Sequence, residues 1–153
     1  KFSDIKLIDR RASGKNTTYV TVFEGLWLVC DFHKQISGEI LLQEDNRSGF
    51  RFFDKLGQRG QVIETENEAF NKKYLIVAEN EHDAFYVLTP HMMEYIEEMD
   101  ARGGGVSYMR FTPEGKAYIA INSGKDLFEI DSKTAPDMMI EKFLSVLINE
   151  RIV

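Results

Sequence analysis

Hydrophobic residues alternate with polar ones through most of the first half of the chain and recur at helical spacing only later. Phe2, Ile5, Leu7 and Ile8 form a short apolar segment ahead of Arg10 and Arg11. Ala12 to Asn16 reads as a turn. From Thr17 to Phe32 the chain is rich in β-branched and aromatic residues, as a strand requires. There Val20, Val22, Leu26, Leu28, Cys30 and Phe32 share one parity, and Tyr19, Phe23, Trp27 and Val29 load the other. A strand apolar on both faces belongs in a sheet covered on both sides, with Trp27 mostly buried. Glu24-Gly25 interrupts the run as a bulge or tight bend. Gly38 to Gln43 and Gln61 to Thr65 are two further short strands.

Asn67 to Lys73 has the pattern of about one helical turn, with Phe70 and Tyr74 four apart, and Tyr74 to Ala78 is a strand-like run. Asp83 to Leu88 leans to helix. Thr89-Pro90 places a capping residue before Pro at the first helical position, so a helix is expected over about 90–102. Met92, Tyr95, Ile96 and Met99 line one face of it, and Gly103-Gly104-Gly105 ends it. Val106 to Thr112 and Lys116 to Asn122 flank Pro113-Glu114-Gly115 as the arms of a hairpin. Thr134-Ala135-Pro136-Asp137 caps a second main helix over about 135–150, with Ile140, Phe143, Leu144 and Leu147 on its apolar face. Strands and helices do not alternate regularly, so the expected class is α+β, a mostly antiparallel sheet with two main helices.

Length and composition narrow this reading. At 153 residues the chain suits a single domain, and 43% hydrophobic with 29% charged residues is ordinary for a folded one. No linker or internal repeat divides it. A net charge of −6 argues against nucleic acid as the principal partner, because phosphate binding needs a basic face. No apolar run approaches the ~20 residues a transmembrane helix needs. The chain starts at Lys1 and opens directly on a strand-like pattern, so it is read as a fragment of a longer protein.

Candidate chemistry is sparse. The single cysteine, Cys30, sits in an apolar strand and is expected to be a small buried hydrophobe. Gly14-Lys15-Asn16 and Gly124-Lys125-Asp126 lack the upstream Gly and the following Ser or Thr of a phosphate loop. Asp31 and His33, two apart on a strand, point to one face and could act together with the Lys125-Asp126 turn. A polar strand end with a local hydrogen bond is the plainer explanation. His82-Asp83 falls in the acidic stretch Glu79-Asn80-Glu81, where a solvated loop is expected, and His91 in the first turn of a helix is expected at the surface. Met92, Met93 and Met99 belong to a core rather than a groove. Arg47, Arg51, Lys55 and Arg59 recur every four residues among Phe50, Phe52, Phe53 and Leu56. As a helix, this segment would align its cations and could rest on anionic lipid or an acidic partner, although a packed helix with a solvated basic face explains it as well. No metal and no cofactor is expected.

Three ordered pieces of the chain carry a resemblance. Val22-Phe23-Glu24-Gly25-Leu26-Trp27-Leu28-Val29-Cys30-Asp31-Phe32 comes first. Phe70-Asn71-Lys72-Lys73-Tyr74 follows, continuing through Ala84, Tyr86, Leu88-Thr89-Pro90 and Met93. The third is Tyr118-Ile119-Ala120-Ile121 with Gly124-Lys125-Asp126-Leu127-Phe128-Glu129. Together they resemble the bacterial domain-of-unknown-function family numbered 3137. The resemblance implies transmembrane helices ahead of a soluble domain, and so a protein tethered to the inner membrane with this domain on its cytoplasmic face. It implies no activity and assigns no catalytic residue. Two functional classes stay open on the sequence. One is a non-enzymatic interaction domain that binds protein or lipid. The other is an enzyme or small-ligand binder built around Asp31, His33, Lys125 and Asp126. The oligomeric state is not legible.

Overall fold

The computed structural model describes residues 1–13, 16–44 and 60–124. Their elements are β1 (Phe2–Ser13), β2 (Asn16–Asp31), β3 (Ile40–Glu44), β4 (Gln61–Val62), α1 (Glu68–Lys73), β5 (Tyr74–Ala78), α2 (Glu81–Val87), α3 (Pro90–Gly103), β6 (Val106–Thr112) and β7 (Lys116–Asn122). The strands form one seven-stranded sheet in the order β1-β2-β7-β6-β3-β5-β4, and each pairing in it is antiparallel. The α+β class read from the sequence is therefore correct. The helix expected at 90–102 is α3, whereas the one expected at 135–150 lies outside the described residues.

Helix starts follow the local chemistry. The Thr89 hydroxyl accepts from the Met92 N–H at 3.3 Å, and Pro90 takes the first turn, where its missing N–H costs nothing. Asn67 caps α1 through the Phe70 N–H at 3.1 Å, and Asn80 caps α2 through His82 N–H at 3.0 Å. Gly104, at φ 61°, ends α3 in the left-handed region that favours glycine.

One sheet face carries the main core. Leu28, Cys30 and Phe32 from β2 and its extension meet Leu42, Ile76, Met109, Phe111 and Ile119 from the neighbouring strands. Phe70, Ala84, Val87, Met92, Met93 and Ile96 close over them from the three helices, so the Met residues are core, as expected. Phe32 and Phe111 pack with ring centroids 5.0 Å apart. The opposite face holds a smaller cluster of Phe23, Tyr108 and Ala120, with Ile5, Trp27 and Val106 against it. Trp27 is in the sheet and mostly buried, as expected, packed against this cluster.

The irregularity in β2 lies two residues earlier than Glu24-Gly25. Leu7 pairs with Phe23 and Ile8 with Thr21, which leaves Val22 as the extra residue of a bulge. Because β1 stays regular across this point, the bulge exchanges the faces of β2. Val20, opposite Asp9, then shares the side of Phe23 and not that of Leu28, so the single parity read along the whole run does not hold. Gly25 serves a different need: a Cβ there would sit 2.1 Å from the Ile121 carbonyl oxygen.

Candidate functional site

Two buried carboxylates organise the polar interior. Asp83 on α2 is 7% exposed, which overturns the solvated loop expected at His82-Asp83. Its Oδ2 accepts from Ser37 N–H at 2.8 Å, Ser37 O–H at 2.7 Å and Gly38 N–H at 3.0 Å. Burial pushes this carboxyl up, but the hydrogen bonds from Ser37 and Gly38 outweigh it and hold the group below the ordinary aspartate value. Asn80 Nδ2 also donates to Ser37 Oγ at 2.9 Å. The arrangement latches the start of α2 to the turn that leads into β3.

Asp100, on the inward face of α3, is the second. It accepts from the Tyr74 hydroxyl at 3.1 Å and from the Ser107 hydroxyl, and it pairs with Lys73 Nζ. This joins the end of α3 to β5 and β6. Burial, then the Asp100 charge, push the Tyr74 phenol well up, so it is no proton donor near neutrality. Glu44, at the end of β3, is raised by burial and then by Asp100, against opposing help from Lys73 and the Ser107 N–H. Both carboxylates are committed to holding helices on the sheet. The sequence did contain a signal for Asp100: it lies four residues beyond Ile96, which puts it on the apolar stripe of α3.

The residues singled out from sequence are dispersed. Asp31 ends β2 exposed and pairs with Lys116 directly across the β2–β7 ladder, and that hydrogen bond and charge lower its pKa. His33 is exposed just beyond. Gly124, the residue ahead of Lys125-Asp126, donates its N–H to the Glu24 carbonyl at the opposite end of the ladder. At about 3.3 Å per residue that is roughly 20 Å from Asp31. Lys125, Asp126 and the basic set Arg47, Arg51, Lys55 and Arg59 lie outside the described residues. His91 is exposed, as expected, and packs edge-on against Tyr95. Cys30 is buried, and burial pushes its thiol up to about 11, away from nucleophilic chemistry. Among the described residues, no group of three or more His, Cys, Asp or Glu could hold a metal ion, and no helix is long and apolar enough to cross a membrane.

The surface feature that stands out is an arm. β2 pairs with β7 only from Gly25 onward, so Asn16–Glu24 and its partner segment of β1, Lys6–Ser13, project beyond the sheet as a two-stranded ribbon. Three of its large apolar side chains are exposed, Leu7 40%, Ile8 54% and Tyr19 67%, whereas Phe23 near its base is buried. Lys6 pairs with Glu24 at 2.7 Å near the base, and Arg11 with Asp9 at 2.9 Å toward the tip.

The described architecture thus defines an α+β domain with helices on one face of an antiparallel sheet. A family model described as "Protein of unknown function (DUF3137)" matches residues 21–150, and the chain belongs to that family. The match begins at Thr21, so β1 and the outer part of β2 precede it. No curated protein and no solved structure matches the chain.

Proposed function

We propose that this is a non-enzymatic interaction domain, held at a bacterial inner membrane by a region ahead of Lys1 and presenting the β1–β2 arm to a protein partner. The arm is the observation that carries this reading. A two-stranded ribbon alone is marginal in water, and this one displays Leu7, Ile8 and Tyr19 instead of burying them. A partner surface would supply the missing burial. The commitment of Asp83 and Asp100 to internal latches points the same way, because the strongest polar groups serve the fold. Membrane tethering rests on the family resemblance.

Photocrosslinking tests this. A benzophenone side chain at Tyr19, in the full-length protein in its own membrane, is expected to give a discrete protein adduct. The adduct should disappear when Leu7 and Ile8 are both changed to Ser. Absence of any protein adduct from Tyr19, or equal adducts from the sheet position Tyr118, would overturn the proposal, as would adducts to lipid alone.

A further inference from the structure

We infer that the arm meets a second copy of this chain through the outer edge of β1, the two strands running antiparallel about a two-fold axis at Leu7. The inference rests on the arm being the interaction element and names what that element meets. β1 is the edge strand of the sheet, and among the described residues β2 is its one strand neighbour. Lys6 to Ala12 are exposed without exception, on both faces of the strand.

The hydrogen-bond phase of that edge follows from the start of the strand. Lys1 and Val29 exchange both backbone bonds: the Lys1 nitrogen donates to the Val29 carbonyl at 2.6 Å, and the Val29 N–H to the Lys1 carbonyl at 2.7 Å. Ser3, Ile5 and Leu7 therefore turn their backbone groups toward β2 in the same phase. Asp4, Lys6, Ile8 and Arg10 turn theirs outward, as donors and acceptors that a further strand can take.

Charge selects the register. In a two-fold antiparallel pair, the axis passes a residue that lies opposite its own copy. An axis at Asp4, Lys6, Asp9, Arg10 or Arg11 would set that charge against itself, and an axis at Ile8 would set Lys6 against Arg10. An axis at Ile5 ends the pairing at Asp9 and leaves the tip of the arm unused. At Leu7 the pairing runs the whole strand. Asp4 then lies opposite Arg10 of the second copy, twice over by symmetry, and no like charges are directly opposed. Lys6 and its copy fall on a diagonal, each already held by Glu24 at 2.7 Å. Leu7, 40% exposed, meets its own copy as a non-hydrogen-bonded pair, where side chains approach most closely. Ile8, 54% exposed, lies across from the methylene stem of Lys6. Charges along an edge ordinarily keep it solvated, but these are answered in place by a strand of the same sequence.

Disulfide trapping in the full-length protein, in its own membrane, tests the register. Leu7→Cys brings two Cα atoms to about 4.5 Å, within disulfide reach. Mild oxidation should give a covalent dimer that the parent does not form. Arg11→Cys, exposed on the same face of β1, places its copy roughly 27 Å away at about 3.3 Å per residue and should give several-fold less. Arg10→Asp, added to Leu7→Cys, sets two acids opposite each other and should lower the yield several-fold. Asp4→Arg, added in turn, should restore it, which a misfolded chain could not do. No dimer from Leu7→Cys, an equal yield from Arg11→Cys, a yield indifferent to Arg10→Asp, or no recovery with Asp4→Arg would overturn the inference. Should Leu7→Cys give no dimer while Tyr19 still crosslinks to a different protein, the interaction-domain reading stands and only the second copy is lost.

Discussion

In the body of the sheet, Phe111, Ile40, Met92 and Ile96 are wholly buried, and the buried Asp83 and Asp100 are each held by several donors. In the arm, Ile8 and Tyr19 stand in solvent and the ion pairs Lys6–Glu24 and Arg11–Asp9 are at the surface. The same residue types occur in both regions, so composition does not separate them. What does is the number of layers. Among the described residues, the inner strands of the body are flanked by strands on both sides and covered by helices, whereas each strand of the arm has a single strand neighbour. The body buries its apolar residues between sheet and helices, whereas the arm leaves Leu7, Ile8 and Tyr19 exposed.

The largest expected effect comes from probing both regions with the same kind of truncation. Phe111→Ala removes a ring packed against Phe32 at the centre of the core and should cost about 3–5 kcal/mol in urea unfolding. Tyr19→Ala, measured in dilute solution, should stay within about 0.5 kcal/mol of the parent. Comparable losses at the two sites would erase the distinction between body and arm.

The fold was legible wherever one period persisted. Thr89-Pro90 with Met92 and Ile96 gave α3, and Pro113-Glu114-Gly115 between two alternating runs gave the β6–β7 hairpin. The faces of β2 were not legible beyond its bulge, because the extra residue, Val22, is identified only by the register of β1 against β2. The arm itself was hidden for a related reason. Thr17 to Phe32 reads as one continuous strand, and only its pairing in the folded sheet shows that β7 covers less than half of it. Asp83 was missed because its acidic neighbours Glu79 and Glu81 suggest solvent. Its donors, Ser37 and Gly38, lie far away in sequence.

The latch at Asp83 gives the next largest effect and sharpens the account of the body. Asp83→Ala leaves the Ser37 and Gly38 N–H groups unanswered and should cost about 3 kcal/mol. Asp83→Asn, which keeps one acceptor oxygen, should lose less. The pH dependence has a definite sign. This carboxyl is held below its unfolded value, so its contribution is complete above the ordinary aspartate range. It is lost as pH falls through the lowered folded value. Acid titration of stability should therefore be shallower in Asp83→Ala than in the parent; equal slopes would mean the latch does not contribute.

The smallest effect concerns Glu44, where the body is least at ease. Its neighbour Asp100 is buried and charged, and burial together with that charge raises the Glu44 carboxyl above its ordinary value. An acid raised in the folded chain binds its proton more tightly there than in the unfolded chain. Stability then falls as pH climbs from the ordinary glutamate value through the raised one, and the cost remains at neutral pH. Glu44→Gln removes that cost while keeping an oxygen to accept from the Ser107 N–H. The variant should be more stable than the parent at neutral pH by about 0.5 kcal/mol, and the difference should shrink toward about pH 4, where the parent is also uncharged. A thermal melt at each pH decides it. A variant less stable at neutral pH would mean that attraction to Lys73 outweighs repulsion from Asp100, making Glu44 a working member of the Asp100 cluster.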